Sequence, residues 1–196
     1  MSNAQLNLST ECTYKVENIY EEFSISAKTS IYRKTANVPL KLLVSRGLIR
    51  GSVLNFGKGK YDTDSKFIIE NVGNCSDYDY TYHKVDLLGC SFTTVVSCYV
   101  VNTLPPQSRM VVWREIADVT SKTDGRAYVA ARSDADRGIK GTKYADGVRT
   151  SRQTFQTAYF EGRLRDEALR VFKYAREIKA KSGFRIVECS HVPFED

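Results

Sequence analysis

The run Thr93-Thr94-Val95-Val96-Ser97-Cys98-Tyr99-Val100-Val101 carries no charge and is dominated by β-branched side chains. Branching at Cβ favours extended backbone, and the lack of polar alternation marks a strand covered on both faces. Such a strand needs helices above and below it, so this one segment directs the chain toward a layered α/β fold. Asn102-Thr103-Leu104-Pro105-Pro106 breaks the run, and residues 107–119 then place Met110, Trp113, Ile116 and Ala117 at helical spacing. Short apolar runs at Ser52–Phe56 and Ala127–Ala131 read as further buried strands, Phe184–Glu188 as a final strand, and Cys75–Tyr82 as a strand with alternating Asp and Tyr. Pro39 opens a helix over Leu40, Leu42, Leu43 and Val44 that Gly47 ends. Residues 63–72 form another, with Phe67, Ile68 and Val72 inward. Residues 161–181 give the clearest helical stripe, Leu164, Ala168, Val171, Phe172, Ala175 and Ile178, closed by Gly183.

Strands alternating with helices predict a single α/β domain with a mostly parallel sheet flanked by helices. In such sheets ligands sit at the carboxyl ends of the strands. At 196 residues one core suffices. Residues 1–27 are polar and read as an N-terminal arm, leaving 28–196 as the domain. Arg132–Arg152 is polar and glycine-rich, a long loop of the kind that is functional or mobile.

Charge is unevenly distributed. Residues 1–27 hold one Lys and four Glu, net −3, whereas residues 28–66 hold nine basic residues and two Asp, net +7. That asymmetry points to an anionic partner at Lys28, Arg33 and Lys34, with a solvated basic face as the alternative. No run of about 18 apolar residues suggests a membrane span, and the start of the chain lacks a secretory pattern. Cys12, Cys75, Cys90, Cys98 and Cys189 are irregularly spaced, and His83 and His191 are the two histidines. Neither a zinc site nor a disulfide framework fits that spacing, so no metal is expected. Reduced thiols and a cytoplasmic location follow.

The first candidate site is the turn Asn55-Phe56-Gly57-Lys58-Gly59-Lys60-Tyr61 after a buried strand. Glycines there permit positive φ and close approach of a ligand to the backbone. No Gly-Lys-Ser/Thr follows, which excludes a nucleoside-triphosphate P-loop. Asp77 and Asp79 lie about 20 residues on and can accept ribose hydroxyl hydrogens; side-chain parity does not separate them. The segment after the best strand, with Tyr99 and Asn102, is the place for an acceptor to be oriented, or else simply a helix start capped by Thr103. Tyr78, Tyr80 and Tyr82 form one face of a strand, for packing or for stacking bases.

The order of these blocks resembles class I S-adenosylmethionine-dependent methyltransferases, and more narrowly those associated with DNA phosphorothioation systems. The blocks are Lys28–Arg33 with Pro39-Leu40 and Gly47–Ile49, Val53–Asp62, Asp79–Tyr82, Tyr99–Pro105 and Arg149–Gln156. The resemblance implies a Rossmann-like fold and S-adenosylmethionine at Asn55, Gly57 and Gly59, with its ribose on Asp79. Position in the chain puts the acceptor near Tyr99 and Asn102 as the catalytic candidates, with Arg149 and Arg152 holding an anionic substrate, and the charge asymmetry adds Lys28, Arg33 and Lys34 as contacts for DNA or another nucleic acid. Asn55 stands where that family has an acidic residue, Lys58 where a small one is usual and Tyr61 where a glycine is. A non-catalytic binding module on the same fold is therefore the competing reading, followed by an enzyme that cleaves S-adenosylmethionine or methylates a small molecule. The shortness of the chain relative to that family points to a viral or mobile-element source.

Overall fold

A computed structural model describes residues 16–180 and 183–195. Cys12 and residues 1–15 of the expected arm lie outside them. The elements in chain order begin with helices α1 (Val16–Ala27) and α2 (Val38–Ser45), strand β1 (Val53–Phe56), helix α3 (Thr63–Val72) and strands β2 (Ser76–Tyr78) and β3 (Thr94–Cys98). Helix α4 (Pro106–Val119) and strand β4 (Arg126–Arg132) follow. The C-terminal part contains β5 (Thr142–Tyr144), β6 (Gly147–Arg149), β7 (Phe155–Gln156), helix α5 (Arg163–Ala168), β8 (Tyr174–Ile178) and β9 (Phe184–Ser190).

Six strands form one sheet in the order β2-β1-β3-β4-β9-β8, parallel from β2 to β4 and antiparallel beyond. Side-chain parity divides the interior in two. Leu54, Phe56, Val95, Ala127, Val129 and Val187 face a cluster with Phe23 of α1, Trp113 and Ile116 of α4 and Leu164 of α5. Their neighbours Val53, Val96, Tyr128, Ala130 and Ile186 face Leu40 and Leu43 of α2 and Ile68 of α3. The expected two-sided burial of the sheet is thus present, and no helix among the described residues is long and apolar enough to cross a membrane. The expected helices over 63–72 and 107–119 are α3 and α4. Asn37 caps α2 by accepting from the Leu40 N–H at 2.8 Å, and Pro39 sits in its first turn.

Three sequence expectations are corrected. The stripe read as one helix over 161–181 splits: α5 stops at Ala168, and Tyr174–Ile178 pair antiparallel with β9. The edge of the sheet offers β9 a partner, and opposite charges fit that register. Arg176 lies directly across from Glu188, with its Nε 2.7 Å from the carboxylate. The strand expected over Cys75–Tyr82 ends at Tyr78. There the Asp79 carboxylate accepts the N–H groups of Thr81 and Tyr82, both at 2.9 Å, and turns the chain. The long loop 132–152 contains the hairpin β5–β6, which joins β7 in a second, three-stranded sheet. This small sheet is fastened beneath by Arg109, which is 1% exposed and bonded to Tyr159, Glu167 and Asp146.

Candidate functional site

The chain leaves β1 toward one edge of the sheet and returns to the other side of β1 as β3. The carboxyl ends of β1 and β3 therefore flank the point where strand order reverses, the crevice where open α/β sheets bind ligands. Gly57 follows β1 there with φ +78°, and Gly59 has φ +73°. A Cβ on Gly57 would come closer than 3.0 Å to a Val100 methyl, and one on Gly59 would lie 2.7 Å from Ser30 Oγ. Both glycines are required by conformation, and at Gly57 the β-branched Val100 adds a steric demand. The turn is anchored from β2: Gly57 N–H donates to the Tyr78 carbonyl at 2.8 Å, and Gly59 N–H to the Asp79 carboxylate at 2.9 Å.

Asp77 and Asp79, left open by the sequence, are separated by the structure. Asp79 lines the cavity over the glycine turn, whereas Asp77 accepts the Ser65 hydroxyl at 2.6 Å beneath α3. Backbone N–H groups take three of the roughly four acceptor positions on Asp79, leaving about one for a ligand. Asn55 has the parity of Val53 and is buried under α3, where its amide donates to Ser65 at 3.1 Å. It does not line the cavity.

The turn is covered by a strap formed from the end of α1 and residues 28–33. Lys60 N–H donates to Ser30 Oγ at 2.9 Å, Ser26 and Thr103 hydroxyls lie 2.6 Å apart, and Tyr82 donates to the Ala27 carbonyl at 3.2 Å. The volume enclosed beneath is about 110 Å³. It adjoins a cavity of about 610 Å³, the two sharing Thr29, Ile31, Arg33, Tyr99 and Thr103. Arg33, Lys41 and Arg132 face the larger cavity with Asp136, which pairs with Arg132 at 2.7 Å.

Tyr99 stands between the two cavities and has φ +65°, a left-handed conformation that costs a residue with a Cβ roughly 1–2 kcal/mol. Its N–H donates to the Ala130 carbonyl at 2.7 Å, and the Arg33 guanidinium sits 5.8 Å from its ring centre. Burial pushes its phenol up to about 12, so the hydroxyl remains protonated at neutral pH and can donate a hydrogen bond. Strain held at such a position is a mark of functional sites. Asn102 is 1% exposed at the cavity floor. Its side chain accepts from Arg132 N–H at 3.4 Å and donates to Gln156 at 3.4 Å, joining β4 to the small sheet. The two prolines start α4 as expected, but Thr103 does not cap it; its hydroxyl donates to the Val100 carbonyl at 2.7 Å.

Of the basic candidates, Lys28, Arg33 and Lys34 are exposed along the strap, and Arg33 borders both cavities. Arg149 instead clamps the small sheet to α1 through Glu22 and stacks on Tyr144, and Arg152 lies on the exposed turn after β6. Neither lines these cavities. The tyrosine row is partly packing: the Tyr80 ring stacks on Phe23 at 3.7 Å. Ser30, Val100, Arg132 and Gln156 are site neighbours that sequence reasoning did not single out for the site, since no periodicity marks them. Among the described residues no three His, Cys, Asp or Glu side chains gather as a metal site.

This strand order and crevice define the class I methyltransferase fold. The chain aligns with a Burkholderia thailandensis 1,6-didemethyltoxoflavin-N1-methyltransferase, solved with 1,6-didemethyltoxoflavin and S-adenosylhomocysteine, at TM-score 0.62 and 12% identity over 95% of this chain and 91% of that one. A sugar N-methyltransferase from a Streptoalloteichus species aligns at TM-score 0.53 and 10% identity over 97% and 99%. A Bacteroides fragilis S-adenosylmethionine-dependent methyltransferase bound to S-adenosyl-L-homocysteine aligns at TM-score 0.54 and 15% identity over 81% and 79%. At these identities the likeness establishes the fold. No family model matches the chain, and no curated protein matches it in sequence.

Proposed function

We propose that the protein is an S-adenosylmethionine-dependent methyltransferase with an anionic acceptor. The observation that carries this reading is the crevice itself: a turn needing glycine twice, a carboxylate from the next strand against it, and a strained tyrosine opposite. Neighbours of the same fold solved with S-adenosylhomocysteine support it. The cofactor supplies a methyl group made electrophilic by its sulfonium, so the protein's task is positioning and exclusion of water.

In this reading Gly57 and Gly59 let the ligand approach the backbone, and Asp79 accepts one ribose hydroxyl while anchoring the turn. In this reading the strap covers the cofactor, and Ser30 Oγ on the strap parts from the Lys60 N–H of the glycine turn for entry. Tyr99 donates its hydroxyl hydrogen to the acceptor, and Asn102 acts as a positioning residue by holding Arg132 and Gln156. Arg33, Lys41 and Arg132, opposed by Asp136, give the larger cavity its preference for anions. At about 610 Å³ that cavity has the size of a ligand site. A kinship to the phosphorothioation-associated methyltransferases rests on the block order of the sequence. The test is a pair of substitutions read by calorimetry. Asp79→Asn is expected to weaken S-adenosylmethionine binding about tenfold or more, and Asp77→Asn to leave it within about twofold. The opposite order, or equal losses, would overturn the site.

A further inference from the structure

We propose that the groove beside the acceptor cavity binds single-stranded nucleic acid. One wall is the strap with the start of α2, the other the glycine turn with the first turns of α3, and together they enclose about 640 Å³. Lys34, Lys41, Lys60 and Lys66 line it with Tyr32 and Tyr61. Two carboxylates oppose them, Asp62 and Glu70, but Asp62 is already paired with Lys58 at 2.5 Å. Among the described residues none of the four lysines makes an ion pair. With Arg33 beside them, the four lysines exceed the one unpaired carboxylate, Glu70, so the groove holds a surplus of positive charge that phosphates would balance.

The tyrosines argue for a single strand. Tyr32 is 65% exposed and Tyr61 37%, packed edge to face at 5.4 Å with the Lys60 ammonium 5.9 Å from the Tyr61 ring centre. Exposed aromatic faces among cations stack unpaired bases while the cations follow the backbone; a duplex has its base faces already stacked. The groove shares Arg33, Thr35, Ala36 and Lys41 with the larger cavity, so a strand lying in it leads into that cavity. Enzymes that modify a base receive it unstacked in this manner. The inference names the acceptor class and rests on the methyltransferase reading for the adjoining cavity.

The experiment measures anisotropy of a labelled oligothymidylate of about 12 nucleotides, titrated with the full chain at several salt concentrations without cofactor. Affinity is expected to fall with salt. Lys60→Ala with Lys66→Ala is expected to reduce the slope of log K against log salt by about 1.4, two phosphates at about 0.7 each. Tyr32→Ala is expected to weaken binding about fivefold or more with the slope unchanged. Lys173→Ala with Lys179→Ala, exposed residues flanking the two ends of β8, is expected to change neither. Absence of binding, equal loss in the β8 variant, full affinity in Tyr32→Ala, tighter binding of duplex, or equal competition by the mononucleotide would overturn the proposal. A chain that binds S-adenosylmethionine but no oligonucleotide overturns the groove alone. One that binds oligonucleotide but no S-adenosylmethionine overturns the methyltransferase reading alone.

Discussion

The approach of Gly57 to Val100 ties the turn after β1 to the end of β3, and a double-mutant cycle measures it. Gly57→Ala adds a Cβ at φ +78°, a conformational cost of roughly 1–2 kcal/mol. It also drives that Cβ within 3.0 Å of a Val100 methyl, when ordinary contact begins at 3.4 Å, so the methyl must retreat by more than 0.4 Å. Overpacking of this kind costs about 1–3 kcal/mol. Val100→Ala alone removes two methyl groups from a partly buried side chain, at most about 1.6 kcal/mol. In the double variant the new Cβ meets Val100 Cβ at 3.5 Å, an ordinary contact. The steric part therefore vanishes and the φ cost remains. Urea unfolding of the four proteins is expected to give a favourable coupling of about 1–3 kcal/mol. Additivity to within about 0.5 kcal/mol would show that the turn and Val100 do not touch, and the crevice as described would be wrong.

Tyr99→Gly is expected to be about 1 kcal/mol more stable than Tyr99→Ala, because only glycine adopts φ +65° freely; equal stabilities by urea unfolding would remove the strain argument. Arg109→Leu leaves Asp146, Glu167 and the Tyr159 hydroxyl without their buried cation and is expected to cost about 3–5 kcal/mol in the same assay. A loss under 1 kcal/mol would mean the network does not fasten the small sheet. His191 Nε2 donates to the Ala117 carbonyl at 2.8 Å beside the Lys122 ammonium, and burial, then Lys122, hold its pKa below the ordinary value near 6.5. A lowered folded-state pKa means the unfolded chain takes the proton first, so stability is full above about pH 6.5 and falls as pH drops below it. His191→Gln is expected to flatten that dependence; an unchanged pH profile of the melting temperature would contradict it.

The elements legible in the sequence are those whose pattern and burial agree. β3 and β4 read as buried strands because both of their faces are covered. α3 and α4 read as helices because their inward residues keep a 3.6 spacing. The split at 168–174 was not legible because Leu164, Ala168, Val171, Phe172, Ala175 and Ile178 satisfy a helical stripe, and only the neighbouring β9 selects a strand for the last five residues. Tertiary pairing overrides local preference there. The crevice was legible at Gly57, Gly59 and Asp79, whose spacing reflects the chain length between β1 and β2. The choice of Asp79 over Asp77 came only from the family resemblance, because in the fold it follows from where β2 ends, and Asn55, assigned to the cofactor by the same resemblance, faces α3 by strand parity. Tyr99 was placed by its position after β3, but its left-handed backbone carries no sequence signal. Lys41, Arg132 and Gln156 reach the cavity from three separate elements that only the fold assembles.

The most direct test of the account is calorimetric titration of the full chain with S-adenosylmethionine and with S-adenosylhomocysteine. A functioning crevice predicts saturable binding of both at one site per chain, with micromolar affinity, about −8 kcal/mol, abolished or greatly weakened by Asp79→Asn. A folded protein that binds neither ligand would contradict the central claim and leave the class I fold without its cofactor.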